Sequence, residues 1–295
     1  MKNERERGSH CFPSLFAGHL FHWLLILAAA RFALGSELAE VDGVAAMRVS
    51  LGSAILWGLL MWQSAWAAPA AELKMVYFDD FAPYSWRDEQ GKMRGLMIDV
   101  MDRVAAQMGL RVRHEGYPWQ RAQKLVRMAQ ADGFVTIATQ ERRSYTLVVE
   151  EPVTTTVLTI FTQRAHPRMA EFQRASRLSD FKSLTFLDYF GNGWGKENLA
   201  GFTVHHTINV DNVFKMLAAG RGDLMVTDPL VARFKLNQLG LSGLVVEVPL
   251  QLDSTPFNLC IGKHSRFNTR ITEFNSALQQ LRQSGELARI VERYR

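Results

Sequence analysis

Cysteine is nearly absent: Cys11 and Cys260 are the two in 295 residues. A disulfide framework is therefore excluded as the source of stability. Structural metal chemistry goes with it. His205-His206, and Cys260 with His264, fall short of the three or four ligands at fixed spacing that such a site needs. No Gly-x-Ser-x-Gly elbow occurs, and no Cys/His or Ser/His pair has a context that would activate a nucleophile. Gly191-Asn192-Gly193-Trp194-Gly195 departs from the dinucleotide fingerprint because its third glycine comes one position early. Long basic runs are missing too. The net charge of +5 is scattered, which argues against a nucleic-acid groove.

The amino terminus carries export signals. Residues 47–67 begin at Met47-Arg48, continue through an apolar centre at 51–62 and end in Ala65-Trp66-Ala67, a small-x-small cleavage pattern. That centre is short for a bilayer span. Residues 47–67 are read as a signal peptide and residues 1–46 as an extension ahead of the biological start at Met47. The rival reading, a membrane anchor at 20–30, is weakened by Arg31 and Glu37 close behind it. Five Lys or Arg and five Asp or Glu precede residue 68, so cleavage leaves the charge at +5 and Cys260 without a partner. A soluble periplasmic protein is expected.

With 47% apolar residues, the remaining chain can build a sizeable core. Residues 73–78 read as a strand. Met97, Val100, Met101, Val104 and Met108 recur at helical spacing up to Gly109. A strand at 112–117, a helix at 119–130 and a strand at 134–138 complete a first α/β unit with parallel pairing. The β-branched stretch 153–162 reads as one long extended segment. A second unit follows: strand 184–187, a helix at 212–219 capped by Asp211, strand 224–226, and a helix opened by Asp228-Pro229 and stopped by Gly240. Extended segments at 244–252 and 258–262 precede amphipathic helices in the tail. Lobe 1 is expected over 71–162 and 248–295, and lobe 2 over 163–247.

Thr136-Ile137-Ala138-Thr139-Gln140-Glu141-Arg142-Arg143 and Thr227-Asp228 both lie at strand ends, where open α/β sheets bind ligands. One offers a guanidinium fork and the other a carboxylate, the complement of a small zwitterion. Asp228 before Pro229 is equally a common helix cap, and capping leaves acceptor capacity for an ammonium. Which of Arg142 and Arg143 faces the cleft is open from sequence. Asp223 is read as a turn residue, and Gly191 to Gly195 as a turn presenting backbone N–H groups to a ligand carboxylate.

Phe81-Ala82-Pro83-Tyr84 with Gly91 to Gly95, Trp119 with Leu125, Ala131-Asp132-Gly133, Thr139 to Arg142, Glu151-Pro152, Gly220-Arg221-Gly222-Asp223 with Asp228, and Ser284-Gly285 with Ile290 to Tyr294 form an ordered series. It resembles the solute-binding proteins of extracellular family 3, which feed amino acids to ABC importers. The resemblance covers residues 73–295 and departs at Val149-Glu150-Glu151-Pro152, at Arg143 and at the 191–195 loop. It implies a two-lobe periplasmic-binding-protein type II fold in the α/β class. Two crossover hinge strands would join the lobes, each lobe a mostly parallel sheet flanked by helices. It further implies that Arg142 clamps a ligand carboxylate, aided by Thr139 and the backbone at Thr136 or Ile137. Asp228 would take the ammonium, while Phe81, Trp119 and nearby Tyr84 wall the ligand. Gly193 is a ligand contact on the separate reading of the 191–195 turn as a source of backbone N–H groups. Hinge closure would then present the ligand to an inner-membrane permease. No catalytic residue, metal or cofactor is expected, no nucleic acid, and a monomer. Arg142→Ala is expected to cost well over tenfold in affinity and to leave the thermal transition of the ligand-free protein nearly unchanged. Two alternatives remain at this point. One is a dehydratase-like enzyme on the same scaffold using Glu141, Glu150 or Glu151; the other is a sensor module that docks to a separate partner.

Overall fold

The computed structural model describes residues 71–294. Cys11 and the expectations for residues 1–46 and 47–67 lie outside the described residues. The chain opens with β1 (Glu72–Phe78), the small strands β2 (Asp80–Phe81), β3 (Ser85–Arg87) and β4 (Met93–Arg94), and then α1 (Leu96–Gln107). Leu96, Met97, Val100, Met101 and Val104 of α1 are buried, the face that their spacing predicts. Next come β5 (Arg111–Tyr117), α2 (Trp119–Arg127), β6 (Gly133–Ile137), α3 (Gln140–Tyr145) and β7 (Thr146–Val148). Helix α2 stops short of the expected residue 130 because Ala129 takes a left-handed conformation (φ 57°). The N–H of Gln130 then closes back on the Leu125 carbonyl.

The extended segment β8 (Thr154–Gln163) leads into the second half: α4 (Met169–Phe172), β9 (Thr185–Tyr189), α5 (Gly193–Asn198), β10 (Thr203–Thr207), α6 (Val210–Ala218), β11 (Leu224–Thr227) and α7 (Pro229–Gln238). Helix α6 is capped by Asn209, whose Oδ1 accepts the Asn212 N–H at 2.9 Å. The expected cap, Asp211, instead reaches the ammonium of Lys235 at 2.7 Å. Strand β12 (Val245–Gly262) returns, followed by α8 (Ile271–Gln283) and α9 (Glu286–Glu292). The expected break between 252 and 258 is absent; the strand runs through, with two register shifts against β8.

Nine strands form one curled sheet in the order β10-β9-β11-β8-β12-β6-β1-β5, with β7 also on β12. Two parallel groups, β5-β1-β6 and β10-β9-β11, make the two lobes. The long antiparallel strands β8 and β12 cross between them. Phe257 marks the crossing point: it pairs with Thr154 of β8 on one side and Ile137 of β6 on the other. The ends of β6 and β11, where the two candidate charges sit, are thereby turned toward a common space.

Candidate functional site

A cavity of about 50 Å³ lies between the lobes, lined mostly by apolar groups. Asp228 reaches it from lobe 2 as the cap of α7. Its Oδ1 accepts the N–H groups of Leu230 (2.7 Å) and Val231 (3.1 Å), and Pro229 occupies the first helical position. Its Oδ2 accepts the Tyr84 hydroxyl of lobe 1 at 2.8 Å. Tyr84 is set by the loop ahead of α1. The N–H groups of Leu96 and Met97 donate to the Pro83 and Tyr84 carbonyls. This close approach needs a glycine at 95, where φ is 130° and a Cβ would stand 2.3 Å from the Tyr84 oxygen.

Arg142 reaches the cavity from α3, which begins at Thr139; the Thr139 hydroxyl accepts the Arg142 N–H at 3.4 Å. The guanidinium is 3% exposed as a residue. Its Nε donates to Gln123 Oε1 (3.1 Å), Nη1 to the Ile137 carbonyl (2.8 Å) and Nη2 to the Gly191 carbonyl (3.1 Å). A guanidinium has five N–H donors, so one remains on each terminal nitrogen. Trp119 covers one side of the group, 5.1 Å from Cζ to ring centroid. The Gly193 backbone lies close by: a Cβ there would fall 3.0 Å from both Cζ and Nη2. Burial lowers the Arg142 pKa from its usual value, an effect that nearby Tyr189 opposes.

Arg142, rather than Arg143, faces the cavity; Arg143 is exposed and donates to the Ala138 carbonyl. Phe81, Trp119, Thr136, Ile137, Arg142 and Asp228 line the space together. Tyr84, Thr139 and Gly193 stand behind it, touching the two charged groups rather than the cavity. The 191–195 segment also holds the guanidinium from behind. It offers the Gly191 carbonyl to Arg142 and to Gln123 Nε2 (3.0 Å), and it starts a helix at Gly193. The burial of Arg142 also revises the expectation of a nearly unchanged ligand-free protein, because truncation would leave Gln123 Oε1 without its donor and remove the group packed on Trp119.

Sequence reading missed much of the wall: Phe78, Met97, Leu158, Tyr189, Asn192, Val226 and Phe257. Phe78 stacks between Phe81 (5.9 Å) and Trp119 (6.3 Å), and Phe257 packs on Tyr84 at 5.2 Å. Gln123 was findable: it lies one turn after Trp119 on the same helix face. Phe257 gave no local signal, since its place depends on pairing with two distant strands.

The lobes also meet outside the cavity. On one rim Lys196 of α5 pairs with Glu141 of α3 at 2.7 Å, and Glu197 accepts the Gln140 N–H at 2.7 Å. On the other, the buried Lys235 of α7 bridges Asp211 of its own lobe and Asp80 of lobe 1. Burial raises the Asp80 pKa, an effect that Lys235 opposes. Behind the 191–195 loop, Asp188 is 3% exposed; its Oδ1 accepts from Tyr189 N and Asn192 Nδ2, while Oδ2 has no partner. Burial pushes its carboxyl up to about 6. Cys260 is buried, its thiol pushed up to about 12. No group of three or more potential metal ligands exists among the described residues.

Residues 73–295 match the model of bacterial extracellular solute-binding proteins, family 3. The chain belongs to this family. Across 217 residues, 71% of this chain and 79% of the relative, it is 25% identical to a "Probable amino-acid ABC transporter-binding protein" of Haemophilus influenzae. Among solved structures, it is similar to a histidine kinase sensor domain with similarity to periplasmic binding proteins: TM-score 0.67, 19% identity, 76% of this chain and 96% of that one. It is also similar to an ancestral amino-acid-binding protein described as a precursor of cyclohexadienyl dehydratase: TM-score 0.62, 20% identity, 81% and 99% covered. At such identities these likenesses speak for the fold.

Proposed function

We propose that this chain is an exported binding protein that captures a small amino-acid-like solute between its lobes and hands it to an inner-membrane ABC importer. In this reading Arg142 grips the ligand carboxylate with its two uncommitted donors. Asp228 takes the ammonium, for which a carboxylate already accepting three hydrogen bonds still has acceptor capacity. Ligand binds the closed arrangement preferentially, because only there do both charges reach one molecule. The observation that carries the reading is that Arg142 and Asp228, from opposite lobes, line one cavity. The name of the Haemophilus influenzae relative points to the importer, and residues 47–67 to the periplasm.

A dehydratase-like role would need a general acid or base at the reacting centre. Glu141, Glu150 and Glu151 do not line the cavity. Glu141 is held below the usual carboxylate range by Lys196 and Arg127, the reverse of what a proton donor at neutral pH requires. Binding without turnover is therefore the favoured reading.

A thermal-shift screen of purified protein against amino acids and small carboxylates tests it. A ligand present at about 1,000 times its Kd adds about 4 kcal/mol of apparent stability. For a chain of this size that is a shift on the order of 10 °C. At least one amino acid is expected to give it; no shift with any of them would overturn the proposal.

A further inference from the structure

Charge within the cavity is confined to its two ends. Among the described residues that line it, only Arg142 and Asp228 are charged. We infer, on the reading of those two groups given above, that the ligand is an amino acid whose side chain is uncharged and apolar. Once Arg142 holds the carboxylate and Asp228 the ammonium, no countercharge remains for a third ionised group. Burying one unpaired would cost several kcal/mol of binding free energy.

The other acidic groups close to the space do not line it. Asp80 and Asp211 both engage the Lys235 ammonium. Asp188 lies behind the loop, with the Asn192 amide donating to its Oδ1 at 2.8 Å, and does not line the cavity. Two of the polar side chains that do line it are engaged as well, and the hydroxyls of Thr136, Thr227 and Tyr189 stand along the same wall. Ser85 donates its hydroxyl to the Phe78 carbonyl at 2.7 Å, and Asn192 gives its amide N–H to Asp188. Most of what is left for a side chain is an apolar wall drawn from both lobes: Phe81, Met97, Leu158, Trp194, Val226 and Phe257. Phe81 and Phe257 lie 6.3 Å apart between ring centroids and continue the stack through Tyr84. A hydrocarbon or thioether side chain entering this wall gains about 25 cal/mol for each Å² taken from water. A guanidinium or ammonium entering it gains no countercharge.

Calorimetric titration of the purified protein tests the inference. The probes are leucine, methionine and phenylalanine against arginine, lysine and glutamate. Two leucine analogues accompany them: 4-methylpentanoate, which lacks the ammonium, and 3-methylbutan-1-amine, which lacks the carboxylate. At least one apolar amino acid is expected to bind roughly 100-fold or more tightly than any charged one. Both analogues are expected to bind far more weakly than leucine. If arginine, lysine or glutamate binds as tightly as the apolar set, the side-chain class is wrong, while the pairing of carboxylate and ammonium stands. If 4-methylpentanoate matches leucine, or if no amino acid binds, that pairing itself fails and takes the inference with it.

Discussion

The two charged ends of the cavity are assembled over different distances along the chain. At Asp228, two of the three hydrogen bonds on the carboxylate come from Leu230 and Val231, within three residues, and Pro229 fixes the helix start between them. Only Tyr84 comes from afar. At Arg142 the fork is held by Ile137, Gln123 and Gly191, which lie 5, 19 and 49 positions away, with Trp119 stacked on it. The acid is thus set by its own helix, whatever the other lobe does. The guanidinium depends on both lobes, since its Gly191 partner belongs to the second. The acid end should tolerate changes elsewhere in the molecule; the basic end should report on closure.

Removing the guanidinium breaks the comparison most severely. Arg142→Ala should weaken amino-acid binding by more than about 100-fold, read by calorimetry, because two charge-assisted bonds to the ligand vanish together. It should also destabilise the ligand-free protein by about 1–3 kcal/mol in urea unfolding, because Gln123 Oε1 loses its donor and Trp119 loses the group packed on it. Unchanged stability would mean that the fork is not anchored as described.

Changes at Asp228 should separate cap from contact. Asp228→Ala should weaken binding about tenfold or more and cost about 1 kcal/mol of stability through the lost cap. Asp228→Asn should keep the stability, since asparagine caps as well, but not the affinity. Equal affinity in the asparagine variant would leave the carboxylate with a structural role alone.

Gly193→Ala sharpens the dependence of the basic end on closure. The added methyl would lie 3.0 Å from Arg142 Cζ and from Thr139 Cγ2, atoms of the opposite lobe. Neither can yield easily, because both are packed. Binding should weaken about tenfold, with closure incomplete as seen by small-angle scattering, while the urea midpoint hardly moves. A wild-type scattering profile with ligand present would show that the loop gives way.

The smallest effect on binding is expected at Asp188, whose influence is on stability. A carboxyl near 6 in the folded chain and near 3.8 as its ordinary value binds more protons folded than unfolded between those limits. Its contribution to stability therefore falls as pH rises through that window, and the penalty is complete above about 6. Asp188→Asn removes the titration. Relative to its value below about pH 4, the stability of the variant over wild type should grow by up to about 3 kcal/mol by pH 7.5. Reading the difference between the two proteins cancels Asp80, whose raised pKa acts in the same direction. A difference that stays constant with pH would contradict the burial argument.

The contrast between the two ends also explains what could be read in the sequence. The Asp228 cap was legible because its partners lie two and three residues on. Helix α1 and strand β8 were legible from spacing and β-branched content. Arg142 could be placed near a strand end, but its anchoring at Gln123 and Gly191 depends on folding partners far along the chain. The same holds for Phe257, whose role follows from β12 leaving β8 to join β6. The continuity of β12 is not legible locally, because Pro256 carries no N–H for a ladder, yet it pairs opposite Thr155. Asp211 looked like a helix cap because the competing demand of Lys235 comes from another helix.

The central claim is that one ligand carries both charges across one crevice. The most direct measurement is a calorimetric cycle: wild type and Asp228→Asn, each titrated with leucine and with 4-methylpentanoate. Wild type should prefer leucine by roughly tenfold or more, and the variant should lose that preference, a coupling of at least about 1.4 kcal/mol. The same preference in both proteins would contradict the account.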